Sequence, residues 1–228
     1  MKPILFNTEM VRAFLDNRKQ VTRRVVKDAD PGWDFVGLEK RPCELRVNTD
    51  GEEYPKELDW PCAVFSAGSG YCDYPMRKGP YRPGDILYVR ETWAAWSRTY
   101  GVAPVLCYKA DGNAPDGIKW RPSIHMPKAA ARIWLMVTDV RVERLQDITP
   151  EQAVREGAIK RPQYSRWGGE KCLVIHGRYR QEFSKLWDST IKKPYLALYG
   201  WNANPWVWVI EFERCEKPEG EKLCQKSI

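Results

Sequence analysis

Three apolar strands limit the fold of this chain more than any other feature of its sequence. Residues 86–90 and the first half of 206–213 are apolar on both strand faces, as expected of strands that are covered on both sides. Residues 131–143 form the longest predicted strand, with apolar side chains alternating along it. We therefore predict an α+β fold, mainly β, in which 84–91, 131–143 and 206–213 share one small closed sheet flanked by short helices.

Start and stop signals predict the helices. Thr8 is expected to cap a first helix, and Thr149 a second one, in which Pro150 takes the first position, Gln152 completes a capping box and Gly157 ends the helix. A third helix over 177–188 is amphipathic, and its apolar face predicts packing on the sheet through Tyr179, Phe183, Leu186 and Trp187.

The remaining sequence predicts one domain with two insertions. Between about 27 and 80, proline, glycine and aromatic residues alternate without a period, which indicates one or two hairpins. A second insertion covers about 94–128 and contains a predicted strand at 105–109. The predicted domain runs from 1 to 215, and residues 216–228 form a charged tail.

Composition narrows the class of protein. The net charge of +7 permits binding to a polyanion. No apolar run approaches the roughly 20 residues that span a bilayer, so we expect a cytoplasmic protein with no membrane partner. The seven cysteines are scattered, which predicts reduced thiols. A zinc site from Cys43, Cys62 and Cys72 would match no standard ligand spacing, so we predict no metal and no cofactor. The oligomeric state is left open.

The segment from Asp16 to Arg24 joins the first helix to a predicted strand and carries the main functional candidates. Asn17 suits the left-handed conformation of a helix end. Lys19, Thr22 and Arg24 then bring an amine, a hydroxyl and a guanidinium to the junction. We expect the scaffold to present these side chains without burying them. A solvated basic loop is the alternative interpretation.

This order of elements resembles the ASCH family of the PUA-like superfamily. The family signature reads Gly-x-Lys-x-x-(Glu or Thr)-x-Arg, and here Asn17 replaces the glycine while Lys19, Thr22 and Arg24 match the rest. The resemblance covers residues 1–27, 81–93, 131–157 and 206–214, about half of the chain. It implies a small β-barrel and RNA or modified-nucleoside ligands, and the longer, tryptophan-rich versions look like phage-encoded proteins.

One branch of the family hydrolyses N4-acetylcytidine, and its motif matches this chain at Lys19, Thr22 and Glu156. The resemblance therefore implies that Lys19, Thr22 and Glu156 carry the reaction. Amide hydrolysis without a metal needs a nucleophile and a base, so we expect Thr22 to attack, Lys19 to act as base, and Glu156 to orient Lys19 or protonate the leaving amine. The insertions at 27–80 and 94–128 depart from that compact branch. Glu156 also lies in the last turn of a predicted helix, where the dipole disfavours an anion, and an exposed Glu beside Arg155 is the alternative.

Further side chains are candidates for substrate contacts, namely Arg23, Arg24, Arg90, Glu91, Trp93, Arg121, Ser123 and His125. Trp93, Trp96 and Trp120 are candidates for stacking on bases, with a role as core anchors as the alternative. Three functions remain open: an amidohydrolase acting on an N-acylated cytidine-type base, a non-catalytic module that binds RNA or a modified nucleotide, and a phage structural or assembly protein.

Overall fold

The computed structural model describes residues 1–30, 32–39, 45–47, 53–55, 61–66, 76–97, 104–158, 164–167, 170–173 and 179–218. Within these residues the protein is mixed α+β, mainly sheet with few helices, as the sequence predicted. The strands are β1 (Lys2–Leu5), β2 (Val21–Val25), β3 (Asp34–Glu39), β4 (Leu45–Val47), β5 (Glu53–Pro55), β6 (Cys62–Ser66), β7 (Met76–Lys78), β8 (Ile86–Arg90), β9 (Trp93–Trp96), β10 (Val105–Tyr108), β11 (Trp134–Arg144), β12 (Tyr164–Trp167), β13 (Glu170–Leu173) and β14 (Trp206–Cys215). The helices are α1 (Thr8–Leu15), α2 (Pro150–Arg155), α3 (Tyr179–Thr190) and α4 (Leu196–Tyr199).

The largest sheet has the strand order β1-β8-β11-β14-β2. It contains all three of the predicted apolar strands, which confirms that they share one sheet. Strands β1 and β2 end this order, and no pairing joins them in the described part of the chain. Closure of the sheet into a barrel is therefore not confirmed.

The chain divides into two compact units, each made of separate segments. The first unit contains residues 1–20, 83–138 and 212–228, and the second contains 21–82 and 139–211. Strands β11 and β14 each contribute residues to both units.

In the first unit, β1 pairs with β8 in parallel, and α1 buries Val11, Ala13 and Phe14. Asn7, not Thr8, caps this helix, because the Asn7 side chain accepts a hydrogen bond from the Met10 amide. The structure thus places the start of α1 one residue earlier than the sequence suggested. Asn17 has a φ of 56°, the left-handed conformation that was predicted for it.

In the second unit, helix α3 packs against the β2–β14 pair. Its Phe183 and Trp187 are buried in one cluster with Val21, Val207 and Val209, which confirms the predicted packing. Helix α2 has the predicted capping box between Thr149 and Gln152. Gly157 follows the helix with a φ of 97°, in agreement with its predicted role.

The first predicted insertion forms strands within the second unit. Strands β3, β6 and β7 make a three-stranded antiparallel sheet, and β4 pairs with β5. The Phe35 and Phe65 rings pack against Trp206 at centroid distances of 5.8 and 5.7 Å. The insertion therefore adds an aromatic layer beside the start of β14.

The prediction of reduced cysteines is wrong for Cys62, which is disulfide-bonded, whereas Cys107 and Cys215 are free. Sequence spacing does not report which cysteines approach within bonding distance. Cys43 and Cys72, which were considered with Cys62 for zinc, lie outside the described residues.

Candidate functional site

Lys19 and Thr22 are buried and Arg24 is half-buried, which corrects the expectation that the junction exposes these side chains. Lys19, Thr22 and Arg23 are 1%, 1% and 2% exposed. In the first unit, the Lys19 amide donates to the Ala13 carbonyl, and the Lys19 amine lies 5.4 Å from the centre of the Phe6 ring. In the second unit, β14 pairs along β2, and Val21 of that strand packs against Phe183 and Trp187 of α3. The basic segment is therefore buried by elements that are distant in the sequence.

Arg23 forms a buried cluster with the end of α2 through its two terminal nitrogens, whereas its Nε atom has no hydrogen-bond partner. One terminal nitrogen donates to Glu156 at 3.2 Å, and the other donates to Glu143 and Gln152, each at 2.9 Å. Glu156 is 3% exposed, so the alternative of an exposed Glu beside Arg155 is wrong. Because a buried guanidinium needs internal partners, this arrangement favours a role in orienting α2 on β2 over a direct ligand contact for Arg23.

The Thr22 side chain has a single polar atom, Oγ1, and that atom is buried and makes no hydrogen bond. Leaving a buried polar group unpaired costs about 1–3 kcal/mol, and such groups in a native fold call for an explanation. Since successive side chains in a strand point to opposite faces, Thr22 shares a face of β2 with Arg24 and not with Arg23.

The three predicted catalytic residues are distributed over both units. Lys19 lies in the first unit, and Thr22 and Glu156 lie in the second. All three are buried. Their convergence on one substrate stays a prediction.

A cavity of about 450 Å³ lies in the second unit beside the motif strand. It is lined by Arg24, Val25, Val26, Lys27, Asp28, Arg77, Lys78, Pro80, Tyr81 and Trp208. Arg24 enters this cavity because it pairs in register with Trp208 of β14, on the strand face that Thr22 shares with Ile210. Burial lowers the pKa of Arg24, and Tyr81 and Glu156 oppose that shift. An arginine stays protonated under working conditions, so the cavity contains a partly desolvated cation beside two aromatic rings.

In the first unit, two of the predicted contact residues are buried. Glu91 is 1% exposed and accepts hydrogen bonds from Arg132 at 2.9 and 3.1 Å. Burial raises the pKa of Glu91, and the hydrogen bonds and charge of Arg132 act in the opposite direction. The Trp93 ring is buried against Met126 and Ala130. Its burial favours the core-anchor interpretation of this tryptophan over a base platform.

The remaining predicted contacts lie near the 119–128 loop. The Arg121 guanidinium is 5.3 Å from the centre of the Trp93 ring, and Arg90 donates to the Ile124 carbonyl. Ser123 is half-buried and His125 is exposed, both in one short 3₁₀ turn. Trp96 and Trp120 are half-buried. These side chains stay predicted ligand contacts.

Sequence reasoning missed the cavity residues Lys27, Arg77, Lys78, Tyr81 and Trp208. Strand alternation does place Trp206, Trp208 and Ile210 on one face, and Arg24 was already a candidate. The missing signal was the pairing of β2 with β14, which depends on two segments far apart in the chain.

Comparison with protein-family models, curated proteins and solved structures gives no match for this chain. No helix among the described residues is long and apolar enough to cross a membrane. In the same residues, no group of three or more His, Cys, Asp or Glu side chains is placed to hold a metal ion. The motif strand and the cavity beside it are therefore the candidate functional site of this chain.

Proposed function

We propose that this chain binds RNA or a modified nucleotide, and that the ligand enters the cavity of the second unit. The observation that carries the proposal is the lining of the cavity, which includes Arg24 together with the aromatic residues Trp208 and Tyr81. Bases stack on aromatic rings and on guanidinium planes. The resemblance of the motif strand to the ASCH family agrees with such a ligand, and the small closed PUA-like barrel is part of the same proposal.

The size and polarity of the cavity also support a small ligand. Its volume of about 450 Å³ falls within the roughly 300–1,000 Å³ of typical ligand sites. The lining contains both apolar or aromatic side chains and charged ones. A ligand with a flat ring and a polar substituent matches this composition.

The experiment that tests this proposal is a titration followed by tryptophan fluorescence, because Trp208 lines the cavity. The probes are cytidine, N4-acetylcytidine, their 5′-monophosphates and a short single-stranded RNA. Saturable binding of at least one probe is expected, with affinity reduced about tenfold or more in Arg24→Gln, since a charge-assisted contact contributes about 1.5–3 kcal/mol. Arg214→Gln, at an exposed position of β14, is the matched control. If no probe binds, the proposal fails, and a structural or assembly role is favoured.

Hydrolysis of an N-acylated cytidine is the second candidate, favoured by the unpartnered buried hydroxyl of Thr22. In this reaction Thr22 Oγ1 adds to the acyl carbon as its proton passes to Lys19. The bond from the acyl carbon to the base nitrogen breaks, and the amine leaves with the proton that Lys19 took up, while the Glu156 carboxylate orients Lys19. Water, which then gives a proton to Lys19, cleaves the acyl-threonine ester, Lys19 returns that proton to Thr22 Oγ1, and the acid is released.

Acid release from N4-acetylcytidine tests this candidate. Thr22→Ala and Lys19→Ala should each reduce the rate by about 10²–10⁴-fold, as expected for the loss of a group that takes part in proton transfer or attack. Lys19→Arg should be nearly as damaging because a guanidinium does not act as base, and Glu156→Gln should be less damaging. Because all three residues are buried, circular dichroism must accompany each assay. Equal turnover by the wild type and Thr22→Ala would exclude the mechanism.

A further inference from the structure

We infer that the ligand of the second-unit cavity carries a phosphate group, which Lys27 and Lys78 hold at the cavity mouth. This inference depends on the proposed function and identifies the ligand as a nucleoside phosphate. The first observation is charge. The lining contains four cations, Arg24, Lys27, Arg77 and Lys78, against one carboxylate, Asp28, which leaves a formal charge of +3. This positive charge favours binding of a dianion in the cavity.

The second observation is that the Arg77 guanidinium donates hydrogen bonds to backbone carbonyls of the protein. Its Nε donates to the carbonyls of Lys27 at 3.2 Å and Asp28 at 3.1 Å, and a terminal nitrogen donates to the Met76 carbonyl at 3.1 Å. The Arg77 guanidinium also lies 5.2 Å from the centre of the Trp33 ring. These contacts join β7 to the segment that follows β2, so Arg77 is a positioning residue for Lys27.

The geometry of that segment shows why it needs support. Asp28 has a φ of 58°, a left-handed conformation that a non-glycine residue adopts at a cost. The carbonyls of Lys27 and Asp28 accept from Arg77 and hold the turn in place. The turn directs the chain so that Lys27 borders the cavity together with Lys78 of β7.

The third observation is that Lys27 and Lys78 are exposed at the cavity. The Lys27 amine makes no ion pair within the part of the chain that the structure describes. A lysine amine is a compact point charge on a flexible stem, suited to a phosphate oxygen. Two such amines and the Tyr81 and Trp208 rings in one lining supply contacts for both a phosphate and a base.

The test compares each nucleoside with its 5′-monophosphate, using tryptophan fluorescence on the full chain. The probes are cytidine and N4-acetylcytidine, their monophosphates, and inorganic phosphate alone. The variant is Lys27→Gln/Lys78→Gln. The matched control is Lys192→Gln/Lys193→Gln, which removes the same charge from two exposed lysines of the same unit.

The wild type and the control should bind a monophosphate about tenfold more tightly than its nucleoside, in line with the strength of charge-assisted hydrogen bonds. The Lys27→Gln/Lys78→Gln variant should lose this advantage and keep its affinity for the nucleoside. Equal affinity of the wild type for nucleoside and monophosphate overturns the inference while the proposed function stands. The inference is also overturned if the Lys27→Gln/Lys78→Gln variant still binds the monophosphate more tightly than the nucleoside. It is overturned as well if inorganic phosphate binds as tightly as the monophosphate. Binding of none of the probes contradicts the proposed function itself.

Discussion

Two neighbouring residues of β2, Thr22 and Arg23, are both buried but differ in their polar partners. Arg23 donates to Glu156, Glu143 and Gln152. The Thr22 hydroxyl has no partner. A fold selected for stability alone would replace such a hydroxyl with a methyl group, because an unpaired buried polar atom is costly. We interpret Thr22 as a residue kept for the proposed hydrolysis and not for stability.

Thr22→Val tests this interpretation because it keeps the shape of the side chain and removes the hydroxyl. We expect the free energy of unfolding to rise by about 1 kcal/mol, since the desolvation cost of the unpaired group disappears. Hydrolysis of N4-acetylcytidine, for which Thr22 is the candidate nucleophile, should be lost in the same variant, whereas binding in the cavity should not change because Thr22 does not line it. Urea unfolding, an acid-release assay and fluorescence titration measure these effects.

Thr149→Val is the control for the Thr22 experiment. The Thr149 side chain accepts from the Gln152 amide and caps α2, so its loss should destabilise the protein by about 1 kcal/mol. A Thr22→Val protein that is also less stable would show that the hydroxyl has a structural partner.

At this scale the sequence predicted backbone features well and burial badly. The left-handed Asn17 and the Thr149–Gln152 capping box follow from local chemistry, and both were confirmed. The burial of Lys19 and Thr22 depends on residues far away in the sequence. A run of cations resembles a solvated loop until its sheet partner is known.

At the scale of elements, Glu211 of β14 links two other elements of the second unit. Its carboxylate accepts from Arg141 of β11 and from Arg155 of α2, each at 2.7 Å. Burial alone would raise the pKa of Glu211, but the hydrogen bonds and charges of Arg155 and Arg141 outweigh it and lower the pKa. This network fixes α2, and with it Glu156, relative to the sheet.

The lowered pKa predicts how Glu211→Gln depends on pH. A carboxyl whose pKa is lower in the folded state stabilises the protein above its unfolded pKa of about 4.3. That contribution is lost as the pH falls through the folded pKa. Glu211→Gln should therefore be less stable than the wild type at pH 7, and the difference should shrink below about pH 4. Urea unfolding of both proteins between about pH 3 and 7 measures this difference in stability. The range extends on both sides of the reference carboxyl pKa of about 4.3.

Glu213→Gln, on the same strand but exposed, is the control. It should differ little from the wild type across the range. A Glu211→Gln deficit that stays constant on acidification would contradict the linkage.

The sequence predicted the positions of strands and helices better than it predicted which strands pair. Strands β8 and β11 and helix α3 lie close to the predicted ranges, because periodicity and caps are local signals. The register that places Trp208 opposite Arg24 is a property of two distant segments. The cavity could not be predicted for that reason.

At the scale of the whole molecule, the net charge of +7 permits binding to a polyanion, and the structure shows which cations are exposed and which are buried. Arg23 is buried in its own cluster, so it does not count as a phosphate contact. Lys27 and Lys78 are exposed at the cavity. The class of fold followed from the sequence, whereas the division into two units did not, because each unit combines distant segments.

RNA binding should therefore depend on salt through Lys27 and Lys78. The logarithm of the binding constant should fall by about 0.7 per phosphate contact for each decade of salt. Lys27→Gln/Lys78→Gln should make this slope less steep by about 1.4, the value for two contacts. Anisotropy of a labelled oligonucleotide at several salt concentrations measures it. An unchanged slope would place the RNA contacts elsewhere.

The central claim is that the second-unit cavity is the ligand site, and an amide chemical-shift titration of the ¹⁵N-labelled chain tests it most directly. The titrant is N4-acetylcytidine 5′-monophosphate. We predict saturable shifts concentrated at 24–28, 77–81 and Trp208, the backbone around the cavity, and their loss in Arg24→Gln. Shifts confined to the 119–128 loop, or no shifts at all, would contradict the account.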